Sequence, residues 1–122
     1  MKNILLVGIV IIIIAGIAYS VNKSRVPGEL DGFAKCLKEK GAVFYGAYWC
    51  PHCQNQKKLF GKSEKLLSYV ECSTPDGKGQ LQVCKDKNIT GYPTWEFADG
   101  ERLSGEIPLK KLSEKTDCAL PY

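Results

Sequence analysis

Residues 42–53 read Ala42-Val43-Phe44-Tyr45-Gly46-Ala47-Tyr48-Trp49-Cys50-Pro51-His52-Cys53. The first six form a short, nearly unbroken apolar run, which predicts a buried central strand. Pro51 suits the first turn of a helix, where its missing N–H costs nothing. A helix is therefore expected from Pro51 to about Leu59 or Phe60, with Gly61 as its stop. A strand that feeds straight into a helix places Cys50 at the helix's amino end. Unpaired N–H groups and the helix dipole favour negative charge there, so a Cys50 thiolate is stabilised. Cys53 lies about one turn further along the same face and can close a disulfide with Cys50. Cys50 is the expected nucleophile and Cys53 the resolving thiol.

Between them, Pro51 opens the helix and His52 tunes the couple. His52 would donate a hydrogen bond toward the Cys50 sulfur or carry positive charge beside it. Either stabilises the reduced form, and a couple with a stabilised reduced form is a stronger oxidant.

Upstream, Leu30, Phe33, Ala34 and Leu37 follow the i, i+3, i+4, i+7 stripe of an amphipathic helix, with Asp31 as an expected cap and Gly41 as a stop. Residues 22–29 are polar and hold Pro27-Gly28, the mark of a linker. Residues 4–21 carry no charge. As a helix they would be about 27 Å long, close to the roughly 30 Å of a bilayer's hydrocarbon core. This segment reads as a transmembrane anchor. The alternative is a signal peptide, with Ala18-Tyr19-Ser20 as a loose cleavage site. Residues 1–3 would form a short cytoplasmic amino terminus, and residues 30–122 the folded domain.

Downstream, residues 68–72 look like a second strand, followed by the turn residues Thr74-Pro75-Asp76-Gly77. Residues 81–87 read as a short helix. Gly91-Tyr92-Pro93 breaks the chain before a strand at 94–97, and Ala98-Asp99-Gly100-Glu101 turns into a last strand at 102–106. Pro108 starts a final helix facing in through Leu109 and Leu112. Helices alternating with strands imply parallel pairing, and the closing hairpin adds an antiparallel edge. The fold class is α/β, a sandwich around a mixed four-stranded sheet preceded by one transmembrane helix.

The chain has 122 residues and six cysteines, all of them after the apolar segment. An even cysteine count in so short a domain suits an oxidising compartment. The domain is therefore expected on the extracytoplasmic side, periplasmic or at the cell surface. Net charge is +4, with lysines scattered and no basic stripe with interleaved aromatics, which argues against nucleic-acid binding.

The strand–Trp49-Cys50-Pro51-His52-Cys53–helix unit, with Gly91-Tyr92-Pro93-Thr94 about forty residues later, resembles the thioredoxin fold. The blocks Phe33-Ala34-Lys35, Tyr45 to Gln54, Leu59-Phe60-Gly61, Tyr69-Val70-Glu71-Cys72 and Ile89 to Glu96 are similar to the thioredoxin-like domain fused to bacterial homologues of vitamin K epoxide reductase. The resemblance implies a cis Tyr92–Pro93 bond facing the cysteines, with the Tyr92 backbone pairing with an extended substrate segment. It also implies a separate quinone-linked membrane partner, since this chain carries one apolar span and no bundle. Trp49 and Tyr92 are the expected substrate contacts, with Tyr48 on the same rim and Trp95 in the core.

Thioredoxins of the usual pattern place a buried Asp on the central strand, where this chain has Phe44. Glu96 would be either a proton acceptor for Cys53 or an exposed strand carboxylate, and the second reading is taken. The resemblance also implies a Cys72–Cys84 disulfide. Closing a loop of about 13 residues stabilises by roughly 3 kcal/mol. The alternative is a second redox pair. Cys36 and Cys118 then remain by elimination. A Cys36–Cys118 bond would staple the two ends of the domain, although the resemblance sets the first and last helices on opposite sheet faces.

The expected function is thiol–disulfide exchange on protein substrates, as an oxidase or as a reductase or isomerase. No metal and no cofactor is expected. The reading from another class is a copper or zinc chaperone. Zinc would need two ligands beyond Cys50 and Cys53, and Cys72 and Cys84 form no second Cys-x-x-Cys.

Overall fold

The computed structural model describes residues 1–122, apart from the side chains of residues 23–25. Helix α1 (Lys2–Arg25) comes first. Within it the stretch Lys2–Asn22 is 21 residues long and apolar enough to cross a membrane. Its isoleucines, leucines and valines are exposed all round, the pattern of a helix whose partner is hydrocarbon rather than a core on one side. The linker is shorter than expected, because α1 runs through Asn22 to Arg25. The break comes at Val26, in extended backbone, where the following Pro27 disfavours helix.

Helix α2 (Asp31–Glu39) buries Phe33, Ala34 and Leu37. Leu30, not Asp31, stands at the cap. Asp31 is the first helical residue, and its carboxylate accepts the Ser63 hydroxyl at 2.7 Å. Gly41 turns the chain with φ +79, and a Cβ there would stand 3.1 Å from the Ala98 methyl. Strand β1 (Val43–Gly46) follows, then α3 (Pro51–Phe60), which opens on Pro51 and ends on Gly61 at φ 53. A 3-10 segment, Gly61–Leu66, leads to β2 (Tyr69–Glu71). Helix α4 (Gln82–Asp86) is a single short turn and a half. Strands β3 (Thr94–Glu96) and β4 (Arg102–Ser104) form the closing hairpin, and α5 (Leu109–Thr116) ends the fold after Pro108.

The sheet order is β2-β1-β3-β4. β1 and β2 run parallel, as expected of strands joined through α3. β3 runs antiparallel to β1, with Phe44 opposite Trp95 and Tyr45 opposite Thr94. Alternation of helix and strand predicts parallel pairing here, and the difference has a local cause. β2 finishes beside Gly46, at the carboxyl end of β1. The chain stays at that end, with Ser73 bridging Gln80, and α4 is too short to carry it back along the sheet. β3 therefore enters from the end at which β2 left.

The two sheet faces are unequal. Phe33, Ala34, Leu37, Phe44, Phe60, Trp95, Leu112 and Cys118 belong to one buried cluster. Phe44 stacks on Trp95 with ring centroids 5.0 Å apart. Tyr45, Cys72, Cys84 and Ile89 form the smaller cluster on the other face. Helices α2, α3 and α5 thus cover one face together. The first and last helices of the domain do not lie on opposite faces, and Cys36 and Cys118 are bonded, with Cα atoms 5.8 Å apart. Cys72 and Cys84 are also bonded.

Candidate active site

The site sits where β1 becomes α3. Cys50 closes the turn after the strand, its N–H donating to the Ala47 carbonyl at 3.0 Å. It caps α3 in extended backbone, φ −76 and ψ 120, and its carbonyl accepts from Gln54 N–H at 3.1 Å. Pro51 follows as the first helical residue. Cys50 and Cys53 are the free thiols among the described residues. Cys50 is 6% exposed and Cys53 only 1%, so one sulfur stands at the rim and the other behind it. Burial pushes the Cys53 thiol up to about 12; a backbone hydrogen bond with Ala47 opposes the rise, and contact with Cys50 adds to it.

Gly46 makes room for this arrangement. A Cβ on it would stand 3.0 Å from Cys53 Sγ and 3.0 Å from the Tyr69 ring edge. An apolar strand does not announce that requirement.

The Tyr92–Pro93 peptide bond is cis, and the Cys50 thiol points at the Tyr92 carbonyl, 3.7 Å away. Trp49 meets the Tyr92 ring edge-on at 6.2 Å. The Trp49 indole N–H donates to Ser73 Oγ at 2.8 Å, and the Tyr48 hydroxyl to the Pro75 carbonyl at 2.9 Å. Both rings are half-exposed. Gln80 donates to the Tyr92 hydroxyl at 2.8 Å. Residues 73–80 therefore brace the aromatic rim, and Cys72–Cys84 closes that loop at its base.

His52 has a different partner from the one its position suggests. Its Nδ1 lies 2.7 Å from Glu106 Oε1, not on the Cys50 sulfur. Asn55 donates to the same oxygen at 3.0 Å. The His52 and Asn55 contacts hold the Glu106 carboxyl below its ordinary range. Glu106 lies beyond β4, and no motif points to it.

Phe44, where an acid would stand in the usual pattern, is fully buried against Trp95. Glu96 does not replace that acid. It pairs with Val43, at the end of β1 remote from the cysteines. It is not an exposed strand carboxylate either, for its side chain is only 16% exposed. Burial would raise its pKa, but Arg102 at 2.8 Å and Lys87 at 3.0 Å hold it below the ordinary value. Cys72 and Cys84 hold each other on the opposite face, so they do not complete a four-sulfur set with Cys50 and Cys53.

Two free thiols, one at the rim facing the Tyr92 carbonyl before the cis proline and one buried behind it, define a dithiol–disulfide exchange module on a four-stranded α/β sandwich. A family model described as thioredoxin matches residues 30–117, and the chain belongs to that family. It is 50% identical over 92 residues to the thiol-disulfide oxidoreductase LTO1 of Arabidopsis thaliana, covering 71% of this chain and 24% of that protein. It is 30% identical over 109 residues to a thioredoxin domain-containing protein 5 homolog of Drosophila melanogaster, covering 80% of this chain and 25% of the relative. A protein disulfide-isomerase A2 of Pongo abelii is 32% identical over 77 residues, 57% of this chain and 15% of its own length. The chain thus spans about a quarter or less of these relatives.

Proposed function

We propose that the chain is a membrane-anchored thiol–disulfide oxidoreductase that exchanges disulfides with protein substrates outside the cytoplasm. The observation that carries this reading is the Cys50 thiol at the amino end of α3, 3.7 Å from the Tyr92 carbonyl, with Cys53 buried behind it. In the oxidising direction a substrate thiolate attacks Cys50 Sγ of the Cys50–Cys53 disulfide, and the electron pair leaves on Cys53. A second substrate thiolate then attacks the substrate sulfur of the mixed disulfide and releases Cys50 as a thiolate. The substrate loses two electrons and the module gains them. At the amino end of α3, Cys50 is the accessible attacker and Cys53 the buried thiol behind it. Trp49, Tyr92 and Pro93 line the rim where an extended substrate segment would pair.

Residues 4–21 serve as the anchor and residues 30–122 as the working domain, with residues 1–3 on the cytoplasmic side. The length and apolar character of α1 support the anchor, and two disulfides support an oxidising compartment. Re-oxidation falls to a quinone-linked membrane partner like vitamin K epoxide reductase, on the resemblance described above. The disulfide-isomerase relative favours a second reading, in which the same site reshuffles or reduces disulfides.

A Cys53→Ala variant of the full chain tests the exchange reading. It should accumulate mixed disulfides with cellular proteins through Cys50. These should vanish on reduction and be absent from a Cys50→Ala, Cys53→Ala double variant. A Cys53→Ala variant that traps no protein would sink the reading. The identity of the trapped proteins separates a quinone-linked partner from folding substrates.

A further inference from the structure

Exchange leaves one question open at the second thiol. Cys53 is 1% exposed, and it must act as a thiolate to resolve a mixed disulfide. Strand β1 places Phe44 nearby instead of a carboxyl group, and Ala47, just after the strand, contributes only a backbone contact.

The neighbouring strand and helix supply something else. Lys57 follows Cys53 by four residues on α3, so the two side chains share a face. Its ammonium lies 3.6 Å from the centroid of the Tyr69 ring, an arrangement that attracts a cation to the ring face. The Tyr69 hydroxyl donates to Glu71 Oε2 at 2.7 Å. Glu71 is itself fixed, its Oε1 accepting from Ser73 N–H at 2.8 Å and Tyr48 N–H at 3.2 Å. The Tyr69 ring edge and Cys53 Sγ both lie 3.0 Å from the same point above Gly46. The carboxylate thus fixes the ring, and the ring holds the ammonium, which shares its helix face with the buried sulfur.

The titratable groups around Cys53 are Cys50 and Lys57 on its own helix and Tyr69, with Glu71 behind it, on β2. Burial and Cys50 oppose the Cys53 thiolate, and the charge of Lys57 favours it. Burial first, then Glu71, pushes the Tyr69 hydroxyl far above its ordinary range, so Tyr69 remains a neutral donor.

We propose that Lys57 is the positioning residue that makes Cys53 reactive: seated on the Tyr69 ring, which Glu71 holds in place, its ammonium offsets the charge on the Cys53 sulfur during resolution. This inference rests on the exchange reading. In the step, Cys53 gives up its S–H proton and its sulfur pair forms the bond to Cys50 Sγ. The bond from Cys50 to the partner sulfur breaks, and its electron pair leaves with the partner sulfur, which takes up a proton. No outside oxidant enters the step.

The test uses the reduced full chain in detergent and an aromatic disulfide that releases a coloured thiolate. Attack by Cys50 releases one equivalent, and attack by Cys53 on the resulting mixed disulfide releases a second. In Lys57→Met the second release should slow about tenfold at neutral pH, and its pH midpoint should rise by about one unit. The first release should keep its rate, and Lys57→Arg should restore the second to within about twofold of wild type. A wild-type midpoint in Lys57→Met, whatever its melting temperature, overturns the proposal. Should Lys57→Met fail to fold, Tyr69→Leu carries the same expectation, because it keeps the ammonium and removes its seat. An unshifted midpoint there overturns the proposal equally. A wild-type protein that releases no second equivalent refutes the exchange reading itself, whereas a normal wild type with insensitive variants refutes only the role of Lys57.

Discussion

His52 Nδ1 and Glu106 Oε1 meet at 2.7 Å across 54 residues of sequence. The contact ties His52 of the Cys-Pro-His-Cys motif to the segment after β4. It draws the imidazole to a carboxylate rather than to the sulfur, so the tuning of the couple is shared between two residues. His52→Gly should lower the reduction potential by about 30 mV or more, a tenfold shift in the dithiol–disulfide equilibrium. Glu106→Gln should shift it the other way, because it removes the carboxylate that draws the imidazole away from the Cys50 sulfur. Equilibration with a glutathione redox buffer measures all three proteins. Equal potentials would remove both residues from the tuning of the couple.

Gly46 should tolerate no side chain. Gly46→Ala places a methyl 3.0 Å from Cys53 Sγ and from the Tyr69 ring. Overpacking of this kind costs about 1–3 kcal/mol. Denaturant titration of the oxidised and reduced forms should show that loss, with slower resolution by Cys53. Wild-type stability in both forms would show that the strand yields there.

Alkaline stability should depend on redox state. Burial raises the Cys53 thiol from 9.0 to about 12 in the folded, reduced protein. An acid whose folded pKa is raised contributes stability that is full below pH 9 and is lost as pH climbs toward 12. Reduced protein should therefore weaken more steeply across that window than Cys53→Ala, which lacks the buried thiol. Parallel stability curves for the two proteins would contradict the burial argument.

The two structural disulfides should differ in weight. Cys72–Cys84 spans 12 residues of separation and Cys36–Cys118 spans 82. Loop-closure entropy predicts a loss of about 3 kcal/mol for replacing the first pair by Ala and about 4–5 kcal/mol for the second. Loss of Cys72–Cys84 should also disturb Trp49 fluorescence, because Ser73 holds its indole N–H. Unchanged Trp49 emission would separate that bond from the rim.

The readable parts of this molecule are those set by local chemistry. The apolar run before Cys50, Pro51 at the helix start and Gly61 at its end specify β1 and α3 without help from distant residues. The stripe of Phe33, Ala34 and Leu37 specifies α2 in the same way. What depends on pairing across the chain was not legible. The direction of β3 follows from which end of β1 the chain occupies after Glu71, and no periodicity encodes that. The placement of α2 and α5 on one face follows from the packing of Leu37 and Leu112 in a single cluster. Glu106 is a lone carboxylate in a loop until the fold brings it to His52. Lys57 was half-visible, four residues from Cys53, but its seat on Tyr69 belongs to the parallel pairing of β1 with β2.

Between the end of α1 at Arg25 and the start of α2 at Asp31 lie only a few residues. Fully extended, such a stretch reaches about 17–18 Å. If α1 is the anchor proposed above, that leash would keep the domain against the lipid surface. A partner embedded in the same membrane then meets Cys50 by lateral diffusion within a shared plane, at an effective concentration set by geometry rather than by bulk abundance. A large soluble substrate has to come to the surface to be served. Lengthening the stretch around Pro27 and Gly28 would trade frequent encounters with membrane neighbours for a wider catchment.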